Sequence, residues 1–190
     1  MEHKTSLQYE KRGEELAFQG AAIQVYKDFI TLPNGREVTW DLVKHPGGAG
    51  VLPIDEEHNV LLVRQYRNAV GDMVLEIPAG KREGQEPFLQ CAARELEEEI
   101  GYRSDHIVHL SNSIPAIGYS NEILGLFYAD HLEKTNQHLD EDEFISVVRL
   151  PFEQVLQMVC DGKIIDSKTV TAVLLYQQVL LRSKTSYIKP

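Results

Sequence analysis

Three glutamates, Glu95, Glu98 and Glu99, sit within one stretch of the chain expected to be helical. An α-helix turns about 100° per residue, so positions i, i+3 and i+4 share a face and these carboxylates project in nearly one direction. Like charges at such spacings destabilise a helix by about a few tenths of a kcal/mol per pair. Negative charge in the last turn also opposes the helix dipole. A hard divalent cation with oxygen ligands reverses both costs, and Mg²⁺ takes one or two carboxylates together with substrate phosphates. For an arbitrary Glu-rich helix the competing reading is a solvated acidic face. The chemistry that this spacing can serve is metal-assisted attack on a phosphate.

The neighbouring elements favour the metal reading. Leu89, Ala92, Ala93, Leu96 and Ile100 form a second, apolar stripe with which the helix can dock on a core. Gly80 follows Pro78 and Ala79 where the chain is expected to turn tightly before the helix, and Gly101 is placed to stop it. Taken together, Gly80, Glu86, Arg94, Glu95, Leu96, Glu98, Glu99, Gly101 and Tyr102 resemble a complete Nudix box. The resemblance implies that family's α/β/α sandwich and a divalent-metal-dependent hydrolase. Hydrolysis of a pyrophosphate needs its oxygens neutralised and a water activated.

By similarity to the family, Glu95, Glu98 and Glu99 are ligands for Mg²⁺, with Mn²⁺ as a second choice, and Glu98 belongs to the catalytic set. The backbone carbonyl of Ala79 is a further ligand candidate, Arg94 is expected to orient a helix glutamate, and Glu86 to support the loop. The family often draws its base from a loop outside the box. The run from Asp140 to Glu143 stands in that region, with Glu141 first as base and Glu143 as runner-up or additional ligand. Gln65-Tyr66-Arg67 and Leu75-Glu76-Ile77-Pro78 resemble the branch of ADP-ribose pyrophosphatases and nucleoside diphosphate sugar hydrolases. That likeness assigns substrate contacts to Arg67 and Glu76, and a base-stacking role to Trp40. It also implies a homodimer with exchanged N-terminal units. The branch's usual proline beyond the box arrives slightly early here, at Pro115. A GDP-mannose type hydrolase and a non-catalytic ADP-ribose sensor are the alternatives.

The whole chain sets bounds. Its 190 residues suffice for one domain with a core and a small addition. A formal net charge of −10 argues against nucleic acid, whose phosphates recruit basic patches. No long apolar run suggests a membrane span, and the charged N-terminus predicts no signal peptide and a cytoplasmic protein. Cys91 and Cys160 lack metal-ligand spacing and are expected as free thiols.

In chain order, a polar arm to about residue 15 precedes an antiparallel unit turning at Leu32–Arg36, where Asn34-Gly35 supplies the positive φ of a hairpin. Residues 46–50 (PGGAG) read as a breaker, with strands expected over 51–54, 60–66, 73–77, 107–114, 123–128 and 144–150. A helix is expected from Pro151 to about Cys160, and a last one after a cap at Asp166 or Ser167. The sum is a mixed α/β fold: an N-terminal β extension over residues 1–46 and a catalytic domain over residues 47–190.

Overall fold

The computed structural model describes residues 7–21, 23–141 and 143–186, with side chains to residue 183. The first six residues of the polar arm, Asp142 of the acidic run and residues 187–190 lie outside the described residues. Backbone packing divides the chain into two units, residues 1–46 with 114–122, and residues 47–113 with 123–190.

The first unit is an antiparallel sheet in the order β1 (Glu10–Gln19), β2 (Gln24–Thr31) and β3 (Glu37–Lys44). Its second hairpin turns where Asn34-Gly35 stands, with Gly35 at φ 82° and its N–H donating to Leu32 O at 2.9 Å. The strand begins at Glu10, not after a polar arm ending near residue 15. Cross-strand charge pairing makes a polar strand viable there, as Lys11 Nζ lies 2.8 Å from Asp28 Oδ1. The segment 114–122 is tied to β3 by Val43 N–H to Tyr119 O at 2.7 Å and His45 N–H to Asn121 Oδ1 at 2.8 Å.

The second unit runs β4 (Gly48–Pro53), β5 (Asn59–Arg67), β6 (Asp72–Glu76), β7 (Ala79–Lys81), α1 (Phe88–Ile100), β8 (Tyr102–Arg103), β9 (His106–Ser113), β10 (Leu124–Asp130), β11 (Glu133–Lys134), β12 (Ile145–Pro151), α2 (Phe152–Cys160) and α3 (Ser167–Ser186). Its mixed sheet has the order β7-β4-β10-β9, with β4 and β10 parallel, and a second sheet has the order β12-β5-β6. Successive side chains of a strand point to opposite faces. Ala49, Val51, Leu61, Val63, Phe127 and Ala129 therefore pack with Ala92, Leu96 and Ile100 of α1. Their neighbours Leu52, Val60, Leu62 and Leu126 pack with Phe152 and Val155 of α2 and Val173 and Tyr176 of α3. Both faces are covered, which is why these strands read as apolar runs. The result is a mixed α/β sandwich.

Three local expectations change. Gly48, Ala49 and Gly50 are buried strand residues rather than a breaker between strands. A Cβ on Gly48 would lie 2.5 Å from Gly80 O, so glycine here permits close strand packing. Leu89 is exposed, because the buried side of α1 runs through Cys91, Ala92, Glu95, Leu96, Glu99 and Ile100. Gly80 lies within β7, and the positive φ before α1 belongs to Gly84, at 56°. As expected, Gly101 closes α1 at φ 69°, and Asp166 caps α3 by accepting the Thr169 N–H at 3.0 Å. No helix among the described residues is long and apolar enough to cross a membrane.

Candidate active site

Helix α1 carries its carboxylates partly inside the protein. Glu95 and Glu99 are 6% and 3% exposed, whereas the Glu98 side chain is 37% exposed. The Glu95 carboxylate lies close against the backbone of β7 at Gly80. A Cβ on Gly80 would stand 1.8 Å from Glu95 Oε1, so this glycine is required by the carboxylate, not by a turn. Glu99 Oε2 accepts the Ala79 N–H at 2.8 Å, placing that stretch of backbone beside the cluster.

One guanidinium ties the group together. Arg94 Nη1 donates to Glu95 Oε1 and Glu98 Oε2, each at 2.7 Å. Its Nη2 donates to Glu86 Oε1 at 2.8 Å and to the Lys81 carbonyl at 3.0 Å. Glu86 in turn accepts the Glu83 N–H at 3.0 Å, which closes the loop leading into α1. The hydrogen bond from Arg94 is the main reason that the Glu86 carboxyl is held down to about 2.

The other carboxylates are under-compensated. Burial pushes Glu95 up to about 7; Arg94 partly offsets this, while Glu98 and Glu143 add to it. Burial pushes Glu99 up to about 8; the Ala79 N–H and Lys168 oppose, and Glu95 and Glu143 reinforce. Such groups either hold a proton or need more positive charge than one arginine supplies. All the donors are hard oxygens, which suits Mg²⁺ or Mn²⁺ and not a thiophilic ion.

A second cluster lies at the end of β6. Glu76, 2% exposed, is gripped in two-pronged fashion by Arg67, with Nε to Oε1 at 2.6 Å and Nη2 to Oε2 at 2.9 Å. Lys168 of α3 also bonds Glu76 Oε2, and its Nζ lies 3.0 Å from Asp166 Oδ1. Thr169 Oγ1 accepts the Ile77 N–H at 2.8 Å and donates to Asp166 Oδ2 at 2.6 Å. Burial alone would raise Glu76, but Arg67 and Lys168 outweigh it and its carboxyl is lowered. Arg67 and Glu76, expected as separate substrate contacts, are here partners of each other. Lys168 is the member that sequence reasoning missed. It follows a recognisable helix cap, but nothing local links it to a glutamate on a distant strand.

The acidic loop is divided. Glu141 is exposed, whereas Glu143 is half-buried and its charge reaches both Glu95 and Glu99. The Glu143 N–H donates to Asp140 O at 3.0 Å, and its Oε2 accepts the Asp140 N–H at 3.3 Å. Glu143 also borders a pocket of about 370 Å³ with Arg64, Met73 and Phe144. Trp40, in the first unit, is 44% exposed and meets Tyr9 edge-on with ring centroids 5.1 Å apart.

The family model for the NUDIX domain matches residues 44–172. The chain belongs to the Nudix family. The Nudix chain is 38% identical to the methanol dehydrogenase activator of Bacillus methanolicus over 161 residues, covering 84% of this chain and 87% of that one. It is 36% identical to the ADP-ribose pyrophosphatase of Bacillus subtilis (strain 168) over 171 residues, covering 88% and 92%. A crystal structure of an ADP compounds hydrolase superposes with a TM-score of 0.83 over 94% of this chain and 97% of its own, at 21% identity, a likeness of fold. The Nudix fold and a Nudix pyrophosphohydrolase are thereby established.

Proposed function

We propose that this Nudix chain hydrolyses the pyrophosphate bond of nucleoside diphosphate sugars, ADP-ribose foremost, giving AMP and ribose 5-phosphate from ADP-ribose and water. The observation that carries this reading is the packing of Glu95 and Glu99 against β7, with one arginine serving a cluster of carboxylates. The likeness to an ADP-ribose pyrophosphatase over 88% of the chain supports the substrate class.

Glu95, Glu98 and Glu99 would hold Mg²⁺ or Mn²⁺, with the Ala79 carbonyl as a further ligand. An ion held there would neutralise phosphate oxygens and lower the pKa of a bound water. Arg94 keeps Glu95 and Glu98 in place and is itself anchored by Glu86 and the Lys81 carbonyl. Glu98, the most exposed of the three, is the side chain free to turn from Arg94 towards an ion. Glu143 rather than Glu141 takes the proton of the attacking water, because its charge couples to Glu95 and Glu99. Arg67, 42% exposed, presents the outer side of its guanidinium to a phosphate or ribose while Glu76 fixes its plane. Trp40 is the base-stacking residue, and the enzyme is a cytoplasmic homodimer.

Product release from a panel of nucleotide sugars, dinucleotides and nucleoside triphosphates, with Mg²⁺ and with chelator, tests the proposal. The expected result is metal-dependent AMP formation fastest from ADP-ribose. Preferential cleavage of GDP-mannose would move the substrate assignment, and binding of ADP-ribose without turnover would make the chain a sensor.

A further inference from the structure

The dipeptide Asp-His occurs twice, as Asp105-His106 and Asp130-His131. The first enters β9 and the second leaves β10, and the antiparallel register sets His106 directly opposite Asp130. Folding therefore brings two imidazoles and two carboxylates to one end of a single hairpin. His106 Nδ1 lies 2.5 Å from Asp130 Oδ1, and His131 Nδ1 lies 3.9 Å from Asp105 Oδ1. The two imidazole rings approach to 5.4 Å between centroids.

Two further features hold this corner together. Ser104 Oγ donates to the Asp130 carbonyl at 2.5 Å and accepts the His106 N–H at 2.9 Å, fixing the strand ends. His131 adopts the left-handed region at φ 50°, which carries its side chain back toward His106 rather than onward with the chain. Ligand atoms of His106, Asp130 and His131 all lie within 4.8 Å of one another. Zinc–nitrogen and zinc–oxygen bonds of about 2.0–2.2 Å put neighbouring ligands of a tetrahedral ion about 3.5 Å apart, so small side-chain rotations close the set.

We propose that His106, Asp130 and His131 form a second metal site, of the zinc class, that clips the open end of the β9–β10 hairpin. Two imidazoles and one carboxylate favour Zn²⁺, Co²⁺ or Ni²⁺ over the hard cations suited to the all-oxygen cluster on α1. The fourth position is left to water, and Asp105, 3.9 Å from His131 Nδ1, adds negative charge beside the ring. The site is independent of the hydrolase reading, since none of its residues belongs to that machinery.

The test is competition between the full-length protein and a colorimetric zinc chelator, in saturating Mg²⁺ so that the α1 carboxylates are occupied. Wild type should take up one Zn²⁺ that Mg²⁺ does not displace, and Co²⁺ should give the visible bands of a low-coordinate site. His131→Asn keeps a residue tolerant of positive φ, and with His106→Gln it should weaken zinc binding at least about 10-fold. Zinc should raise the thermal midpoint of wild type and not of either variant. Glu98→Gln should retain the extra zinc. Absence of Mg²⁺-resistant zinc binding in wild type, or equal zinc affinity in wild type and both histidine variants, would overturn the assignment.

Discussion

The two charged clusters of the second unit differ in how they are balanced. At the end of β6, the buried carboxylate of Glu76 meets two cations, Arg67 and Lys168, and is stabilised as an anion. On α1, Arg94 alone faces Glu86, Glu95 and Glu98, with Glu99 and Glu143 nearby, and Glu95 and Glu99 are forced upward. The first arrangement is balanced in charge and anchors a strand to a helix, while the part-exposed Arg67 can still meet substrate. The second is incomplete without more positive charge, the condition under which an acidic site binds a cation. Burial near a guanidinium is common to both; the ratio of charges separates a balanced cluster from one that calls for a cation.

If that contrast holds, substitutions should split activity from stability. Replacing Glu98 or Glu99 by Gln should lower turnover by roughly 10²–10³-fold, in the range seen when a charge-stabilising group is lost. Thermal unfolding of either variant should match or exceed wild type, because like-charge repulsion is relieved. Unchanged turnover in both would remove the metal role of α1. Glu76→Ala should do the reverse first: it leaves Lys168 with Asp166 as its remaining carboxylate partner and should cost about 2 kcal/mol in urea unfolding. A loss below about 1 kcal/mol would mean that the β6 cluster is no anchor.

Gly80→Ala is the finer probe, since its Cβ would meet the Glu95 carboxylate and push it out of place. Activity should fall about 10–100-fold, as for loss of a group that orients a ligand, with a near-native circular dichroism spectrum. The smallest effects are in pH. Glu76, held below its ordinary 4.5, contributes stability that is complete above 4.5 and is lost as pH falls through its folded value. Glu95 and Glu99 act with opposite sign in the metal-free protein. Their contribution is complete below 4.5 and lost as pH rises through about 7 and 8. Thermal midpoints in chelator should therefore decline from pH 5 to 8, and added Mg²⁺ should flatten that decline. A midpoint independent of pH in chelator would contradict the burial argument for α1.

Much of the fold was legible because its signals are local. Asn34-Gly35, Gly101 and Asp166 each impose a backbone geometry on their immediate neighbours, and each stands where its chemistry predicts. The polar strand beginning at Glu10 was not legible, since its support comes from cross-strand partners such as Asp28 and not from apolar alternation. Leu89 matched the apolar stripe yet faces solvent, because α1 buries the side that carries Glu95 and Glu99.

The spacing of Glu95, Glu98 and Glu99 required nothing beyond helical periodicity to put three acids on one face, and the box around them was complete in the chain itself. Which of those acids would be buried, that Gly80 exists to admit one of them, and that Arg67, Glu76 and Lys168 form one ion cluster depended on strands and helices meeting across the core. Periodicity acts over a turn or two of backbone, whereas burial and charge balance are set by neighbours that only folding brings together.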